Sequence, residues 1–190
     1  HQHRGIYEKK LKKELRGVNQ KDTSPELVWG KKSPESFEAK ENGVTYEMSF
    51  ERGASIGLFA DQIDNRRRIL TNYIDDGFAF FPDTDAQVLN TFAYTCGFSV
   101  CAALAGARTT SIDLSRKYLD WGERNFRLNG LNPDGHEFLA GDVFDWLKRL
   151  LKKNRQFNAI ILDPPTFSSS KKSGVFRVEK DYAKLLKLAL

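Results

Sequence analysis

Ala86-Gln87-Val88-Leu89-Asn90-Thr91-Phe92-Ala93, then the turn Tyr94-Thr95-Cys96-Gly97-Phe98, then Ser99–Ala107, is the stretch that decides the fold of this chain. The first run is short, apolar and bounded by turn residues, the signature of a buried strand. The last run is long enough and regular enough for a helix. The alternation then repeats: Arg108–Ile112 is a second predicted strand and Ser115–Asn129 a long helix. His136–Ala140 is a third strand, Val143–Lys153 a third helix and Phe157–Leu162 a fourth strand. Strands separated by helices of this length must be joined by crossovers, which are right-handed and yield a mostly parallel sheet. The expected fold class is therefore α/β, and sheets of this kind take ligands at the carboxyl ends of their strands.

Working outward, the remainder divides in two. Residues 37–84 form a lead-in in which Asn42-Gly43 sits between stretches carrying Val44, Tyr46, Met48 and Phe50, a strong hairpin signal. A helical pattern containing Arg66, Arg67 and Arg68 follows Gly57-Leu58-Phe59-Ala60-Asp61-Gln62. Residues 1–36 are polar and basic: Lys9, Lys10, Lys12, Lys13 and Arg16 face few acids, and Asp22-Thr23-Ser24-Pro25 breaks any helix. That segment is expected to be an exposed basic stretch or a solvated linker. Residues 85–190 hold the alternating domain. With 40% hydrophobic and 29% charged residues, the 190-residue chain can bury a real core. It contains no apolar run long enough for a membrane span and no secretory signal. Its two cysteines, Cys96 and Cys101, are too few for a disulfide framework or a zinc site, so no metal and a cytoplasmic setting are expected. A net charge of +5 is compatible with an RNA partner without requiring one. The pattern specifies no oligomeric state.

Candidate chemistry collects at the strand ends. The turn Tyr94-Thr95-Cys96-Gly97-Phe98 precedes a helix and can offer backbone N–H groups to a carboxylate. It has a single glycine and is not G-x-G-x-x-G, which argues against a dinucleotide pyrophosphate. Asp113, with Leu114 beside it, ends the second strand, where an acid accepts the two hydroxyls of a ribose. Asp113-Leu114-Ser115 equally suits a helix start with Ser115 as N-cap. Asp142, beside Val143 at the end of the third strand, can accept an adenine amino group or cap the next helix. Asp163-Pro164-Pro165-Thr166-Phe167 leaves the fourth strand. An acid, two φ-locking prolines and an aromatic at such an exit can hold a flat base, though the same residues can simply end a strand.

Three of these stretches carry a resemblance. They are Leu89–Thr95, the run Ser115-Arg116-Lys117-Tyr118-Leu119-Asp120-Trp121-Gly122-Glu123-Arg124-Asn125-Phe126-Arg127-Leu128-Asn129-Gly130-Leu131, and Asp163–Ser168. Together they resemble class I S-adenosylmethionine-dependent methyltransferases of large-subunit ribosomal RNA, which have a Rossmann-like fold. Within that family the chain is most similar to the domain that methylates guanine N7 in the bifunctional bacterial enzyme, and next to the cytosine-C5 enzyme. Gly57–Gln62 with Arg66 also matches the segment that precedes the family's Rossmann-like domain. The resemblance implies S-adenosylmethionine in a pocket formed by Tyr94, Thr95, Cys96, Gly97, Phe98, Asp113, Leu114, Asp142 and Val143. It puts Asp163, Pro164, Pro165 and Phe167 at the target base, and Phe59, Asp61 and Arg66 over the pocket, with Arg66 and Thr166 toward the RNA. There are two departures. Cys96 stands where relatives carry Gly, and four strands are countable where the family has seven, so the chain is expected to continue beyond Leu190 or to have its fourth strand covered by something else.

Guanine N7 has a lone pair and no proton to lose, so a site for it needs orientation rather than a strong base. Cytosine C5 needs a cysteine to add at C6 first, and neither Cys96 in the turn nor Cys101 on the next helix is expected to face a base. In the cytosine enzyme that cysteine lies beyond the fourth strand. Two readings from other classes stand beside these: an NAD(P)-dependent oxidoreductase on a similar sheet, and a non-catalytic RNA-binding fragment.

Overall fold

A computed structural model of the chain describes residues 5–9, 24–52, 55–82, 84–170 and 174–190. They form two compact units, one running to Ile63 and the other from Asp64 to Leu190. In the first, β1 (Gly5–Glu8) pairs antiparallel with β2 (Glu26–Gly30), with an irregularity between Ile6 and Tyr7. Tyr7 stacks on Phe50 with ring centroids 4.1 Å apart. β3 (Phe37–Glu41) and β4 (Val44–Met48) form the expected hairpin. Its two turn residues, Asn42 and Gly43, take φ of 52° and 84°, the left-handed pair that matches strand twist in a tight hairpin. β4 alternates strictly, burying Val44, Tyr46 and Met48. The sequence reading foresaw no strand in residues 1–36, yet β1 and β2 lie there. Lys10, Lys12, Lys13, Arg16, Asp22 and Thr23 fall outside the described residues.

The second unit is built on four parallel strands: β5 (Gln87–Thr91), β6 (Arg108–Asp113), β7 (Glu137–Ala140) and β8 (Ala159–Leu162). Their spatial order is β7-β6-β5-β8. The chain steps outward from β5 to β7 and returns to the other side of β5, so the direction of winding reverses there. That reversal opens a crevice at the carboxyl ends of the central strands. Successive residues of a strand face opposite sides, and here they sort the layers. Leu89 and Ile112 join Val143, Leu147 and Leu150 of α4 (Val143–Lys152) and Leu185 of α5 (Val178–Ala189) in one core. On the other face Asn90 Nδ2 donates to Ser99 Oγ at 2.8 Å, and Ser99 bonds Ser111 Oγ at 2.8 Å, under α2 (Gly97–Leu104). α3 (Arg116–Leu128) packs beside α2 against β6 and β7.

Elements in this unit match the expected alternation, with shifted ends. β5 stops at Thr91 rather than Ala93 because Phe92 turns left-handed at φ 54°. α2 runs two residues earlier than expected at its start and ends at Leu104, where Ala105 and Gly106 (φ 92°) form the stop. An unforeseen hairpin, β9 (Phe167–Ser170) with β10 (Gly174–Arg177), follows the Asp163–Thr166 loop. Phe176 is buried from it against Phe92 and Phe144, with centroids 5.8 and 5.9 Å away. α1 (Ile63–Leu70) begins at the last residue of the first unit.

Candidate functional site

Between β5 and α2 the backbone alternates in hand. Phe92, Tyr94 and Cys96 take φ of 54°, 49° and 61°, while Ala93 and Thr95 do not turn positive. Left-handed φ costs an L-residue with a bulky side chain roughly 1–2 kcal/mol, and three in five residues persist only where the surroundings hold them. Three N–H groups of the turn are spent internally: Ala93 donates to the Ile112 carbonyl at 2.9 Å, Cys96 to the Ala93 carbonyl at 2.7 Å and Tyr94 to a carboxylate, which leaves the first turn of α2 as the place for an anion. The surroundings that hold the left-handed run can be named. Tyr94 N–H donates to Asp113 Oδ2 at 2.9 Å, and Asn125 Nδ2, fully buried on α3, donates to the Thr95 carbonyl at 2.9 Å. Tyr94 meets Tyr118 edge-on at 4.6 Å. A Cβ on Gly122 would come within 2.4 Å of Cys96 Sγ, so only glycine lets α3 lie this close to the turn.

Asp113, the last residue of β6, is the hub. Its Oδ1 accepts the Ser115 N–H at 2.8 Å, and its carbonyl accepts the Gly141 N–H at 2.8 Å, tying the ends of β6 and β7 together. Burial pushes its carboxyl above the usual aspartate range, against the opposing pull of the Ser115 and Tyr94 N–H bonds. Ser115 stands at the N-cap position of α3 without a side-chain cap bond; the carboxylate of Asp113 takes the N–H instead. With one N–H on each oxygen, lone pairs remain for two hydroxyl donors. Leu114 beside it is 45% exposed.

Asp142 caps α4, its Oδ1 accepting the Asp145 N–H at 3.2 Å, with buried Val143 next in the helix. Gly141 (φ 146°) precedes it, and the Trp146 indole N–H reaches back to the Ala140 carbonyl at 3.1 Å. Asp163 follows β8 directly and is exposed, with Pro165 and Thr166 exposed and Pro164 half-buried. The Thr166 carbonyl accepts the Val178 N–H at 3.2 Å, which anchors the loop to α5. Phe167 opens β9 opposite Arg177. Because β5 to β8 are all parallel, Asp113, Asp142, Asp163 and the Tyr94–Phe98 turn lie along one edge of the sheet.

Three further candidates come from the segment ahead of the sheet. Arg66 is 3% exposed, with its guanidinium 5.8 Å above the Phe98 ring, so it packs on the start of α2. Phe59 and Asp61, both exposed, belong to the first unit, at the 3-10 turn Ala60–Gln62. Cys96 and Cys101 are buried and form no disulfide among the described residues, and burial pushes the Cys96 thiol up to about 12, which leaves it neutral and a poor nucleophile. The supporting residues Asn125, Gly122 and Tyr118 carry no role in the sequence reading. A glycine and an asparagine on the buried face of an otherwise amphipathic helix were the available signal.

A family model described as S-adenosylmethionine-dependent methyltransferase matches residues 12–189. The chain is 46% identical over 156 residues to ribosomal RNA large subunit methyltransferase K/L of Psychrobacter arcticus, covering 80% of this chain and 19% of that protein. It is 35% identical to ribosomal RNA large subunit methyltransferase K of Neisseria meningitidis, covering 82% of this chain and 42% of the relative. Among solved structures, SMU.776, described as a methyltransferase and complexed with SAH, superposes with a TM-score of 0.76 at 34% identity, covering 87% of this chain and 41% of that one. The S-adenosylmethionine-dependent methyltransferase from Agrobacterium tumefaciens shares the fold, with a TM-score of 0.75 at 24% identity over 88% of this chain and 52% of that one. The chain thus spans about a fifth to two fifths of the length of these curated relatives.

Proposed function

The chain belongs to the S-adenosylmethionine-dependent methyltransferase family, and from that premise we propose that it methylates a base of large-subunit ribosomal RNA, at guanine N7. The observation that carries the proposal is the shared edge: Asp113, Asp142, Asp163 and the left-handed turn Phe92–Cys96 all lie at the carboxyl ends of four parallel strands. The RNA class is supported by the names of relatives up to 46% identical.

The residues fit the cofactor. The turn Tyr94–Phe98, where α2 begins, suits an amino-acid carboxylate. Asp113 retains acceptor capacity for a ribose diol after its two backbone bonds. Asp142 suits an adenine amino group, and exposed Leu114 supplies apolar contact for the ring, while Val143 anchors the residue after Asp142 in the core. When bound, S-adenosylmethionine supplies an electrophilic methyl on a sulfonium. Asp163 and the main chain around Pro164 and Pro165 hold the polar edge of the base, while Phe167 and Thr166 adjoin it. The prolines limit how far the loop can move, so orientation is set before reaction. N7 would take that methyl with its own lone pair as the sulfur–methyl bond breaks and S-adenosylhomocysteine leaves, and no side chain has to remove a proton. The raised Cys96 thiol agrees with a route that uses no covalent cysteine from this chain.

The test is transfer of tritiated methyl groups from S-adenosylmethionine to 23S ribosomal RNA, with the product base identified by nuclease digestion and mass spectrometry. N7-methylguanine is expected. Labelled 5-methylcytosine would replace the guanine assignment, and absence of label in any ribosomal RNA would remove the substrate class.

A further inference from the structure

We infer that the outer face of α4 and α5 is a phosphate-binding surface that grips the RNA backbone beside the target base. The inference rests on the ribosomal RNA reading above. α4 exposes Lys148, Arg149 and Lys152, with Lys153 exposed just after it, and α5 exposes Lys180 and Lys187. Phe144, Lys148 and Lys152 run along one side of α4 at helical spacing, and Lys180, Lys184 and Lys187 along one side of α5. Lys184 Nζ lies 5.5 Å over the Phe144 ring, which joins the two rows into one surface. Leu147, Leu150 and Leu185 lock the helices together beneath it.

What separates this face from an ordinary solvated one is its lack of compensation. On α3, Arg116 pairs with Asp120 and Glu123, and Arg127 pairs with Glu123. Among the described residues, no carboxylate forms an ion pair with any of the bases on α4 or α5 named here. The acids of these two helices, Asp145, Glu179 and Asp181, sit in the first turns, where the helix dipole favours them. Lys148 with Lys152, and Arg149 with Lys153, stand four apart, a spacing at which like charges weaken a helix. Asp145 stands at interacting distance in sequence from Lys148 and Arg149, and Asp181 from Lys184, yet seven bases face three acids on these helices, and the resulting positive surface is complementary to a polyanion. Its position favours RNA: α4 starts directly after Asp142, and α5 starts where the hairpin following the Asp163–Thr166 loop ends. Backbone contacts of this kind fix register without reading sequence.

The experiment replaces Lys148, Lys152, Lys180 and Lys187 together with Gln in the full chain. Binding to a 23S ribosomal RNA fragment and to S-adenosylhomocysteine is measured for both proteins across a salt series, alongside methyl transfer. If the four lysines meet phosphates, the slope of log affinity against log salt falls in magnitude by about 3, while S-adenosylhomocysteine affinity and circular dichroism stay unchanged. Lys40→Gln with Lys117→Gln, remote from this face in sequence, should leave the slope near its original value. An unaltered slope in the fourfold variant, with the unsubstituted chain binding and methylating the RNA, overturns the face and leaves the function standing. If the unsubstituted chain neither binds nor methylates ribosomal RNA, the functional reading fails and the inference falls with it.

Discussion

Asp113 Oδ2 accepts the backbone N–H of Tyr94 at 2.9 Å, across nineteen residues of sequence. Tyr94 sits at φ 49°, a conformation that needs external support. The carboxylate proposed to meet the ribose is therefore also the group that shapes the turn proposed to meet the amino-acid end. Loop geometry and cofactor affinity are coupled through one side chain.

Asp113→Ala removes the proposed ribose acceptor and orphans the Tyr94 and Ser115 N–H groups together. Loss of a charged hydrogen bond is worth about 1.5–3 kcal/mol, so affinity for S-adenosylhomocysteine should fall about 10- to 150-fold, with a lower melting temperature. Isothermal titration and thermal unfolding measure both. An unchanged dissociation constant would refute the ribose assignment.

Two carboxyls carry pH dependence of opposite sign. The Arg155 hydrogen bond holds Glu137 below the usual value of 4.5, so that pair's contribution to stability is present above pH 4.5 and lost as pH falls through the lowered folded pKa. Glu137 and Arg155 side chains are 42% and 34% exposed, and solvent screening keeps the effect under about 1 kcal/mol. Burial pushes Asp113 above 3.8. Its contribution to stability is complete below pH 3.8 and lost as pH rises through the raised pKa. For ligand binding the ionised form matters, so S-adenosylhomocysteine affinity should decline on acidification earlier than an ordinary aspartate would allow. Titration calorimetry between pH 7 and about 4 reads this directly; a flat affinity over that range would contradict it.

Gly122 sets two magnitudes against each other. Alanine in the middle of an exposed helix would gain about 1 kcal/mol over glycine. Here the added Cβ would lie 2.4 Å from Cys96 Sγ and 2.8 Å from Cys96 Cβ, and overpacking costs about 1–3 kcal/mol. Gly122→Ala should therefore be destabilising in a urea melt and should weaken S-adenosylhomocysteine binding by displacing the turn. Combined with Cys96→Gly, which removes both obstructing atoms and suits φ 61°, the same substitution should become neutral or stabilising. Additive effects in the double-substitution cycle would show that the two residues do not press on each other.

Much of this was legible beforehand, and the exceptions have physical causes. Strands β5 to β8 were visible because each is short, carries apolar or β-branched residues and is separated by helical spacing, and their parallel crossovers put the three acids on one edge. β1 and β2 were hidden because β1 is only four residues long and β2 carries Leu27, Val28 and Trp29 consecutively with every position exposed, so no period-2 pattern emerges. β9 and β10 were hidden because Ser168-Ser169-Ser170 reads as loop, while the residue that anchors the hairpin, Phe176, lies on the far strand. In the site, Asp113 and the turn could be picked out by residue type. The left-handed run Phe92–Cys96 could not, because none of the residues at positive φ there is a glycine. Its support by Asn125 depends on a contact thirty residues away.

Asp163 offers the sharpest separation between binding and turnover. It directly follows β8 and is exposed, whereas Asp113 is partly buried beneath the turn. If it orients the base, its interactions strengthen only as the base reaches in-line geometry, and misplacement by about 1 Å can cost a hundredfold in rate. Asp163→Ala should then lower kcat by about a hundredfold or more while leaving S-adenosylhomocysteine affinity within about twofold, since it removes no cofactor contact. Asp163→Asn, which keeps an acceptor of the same shape, should recover part of the rate. Single-turnover methyl transfer with saturating cofactor distinguishes these outcomes from a folding defect. Equal losses in turnover and cofactor affinity would reassign Asp163 to the cofactor pocket or to the support of its loop.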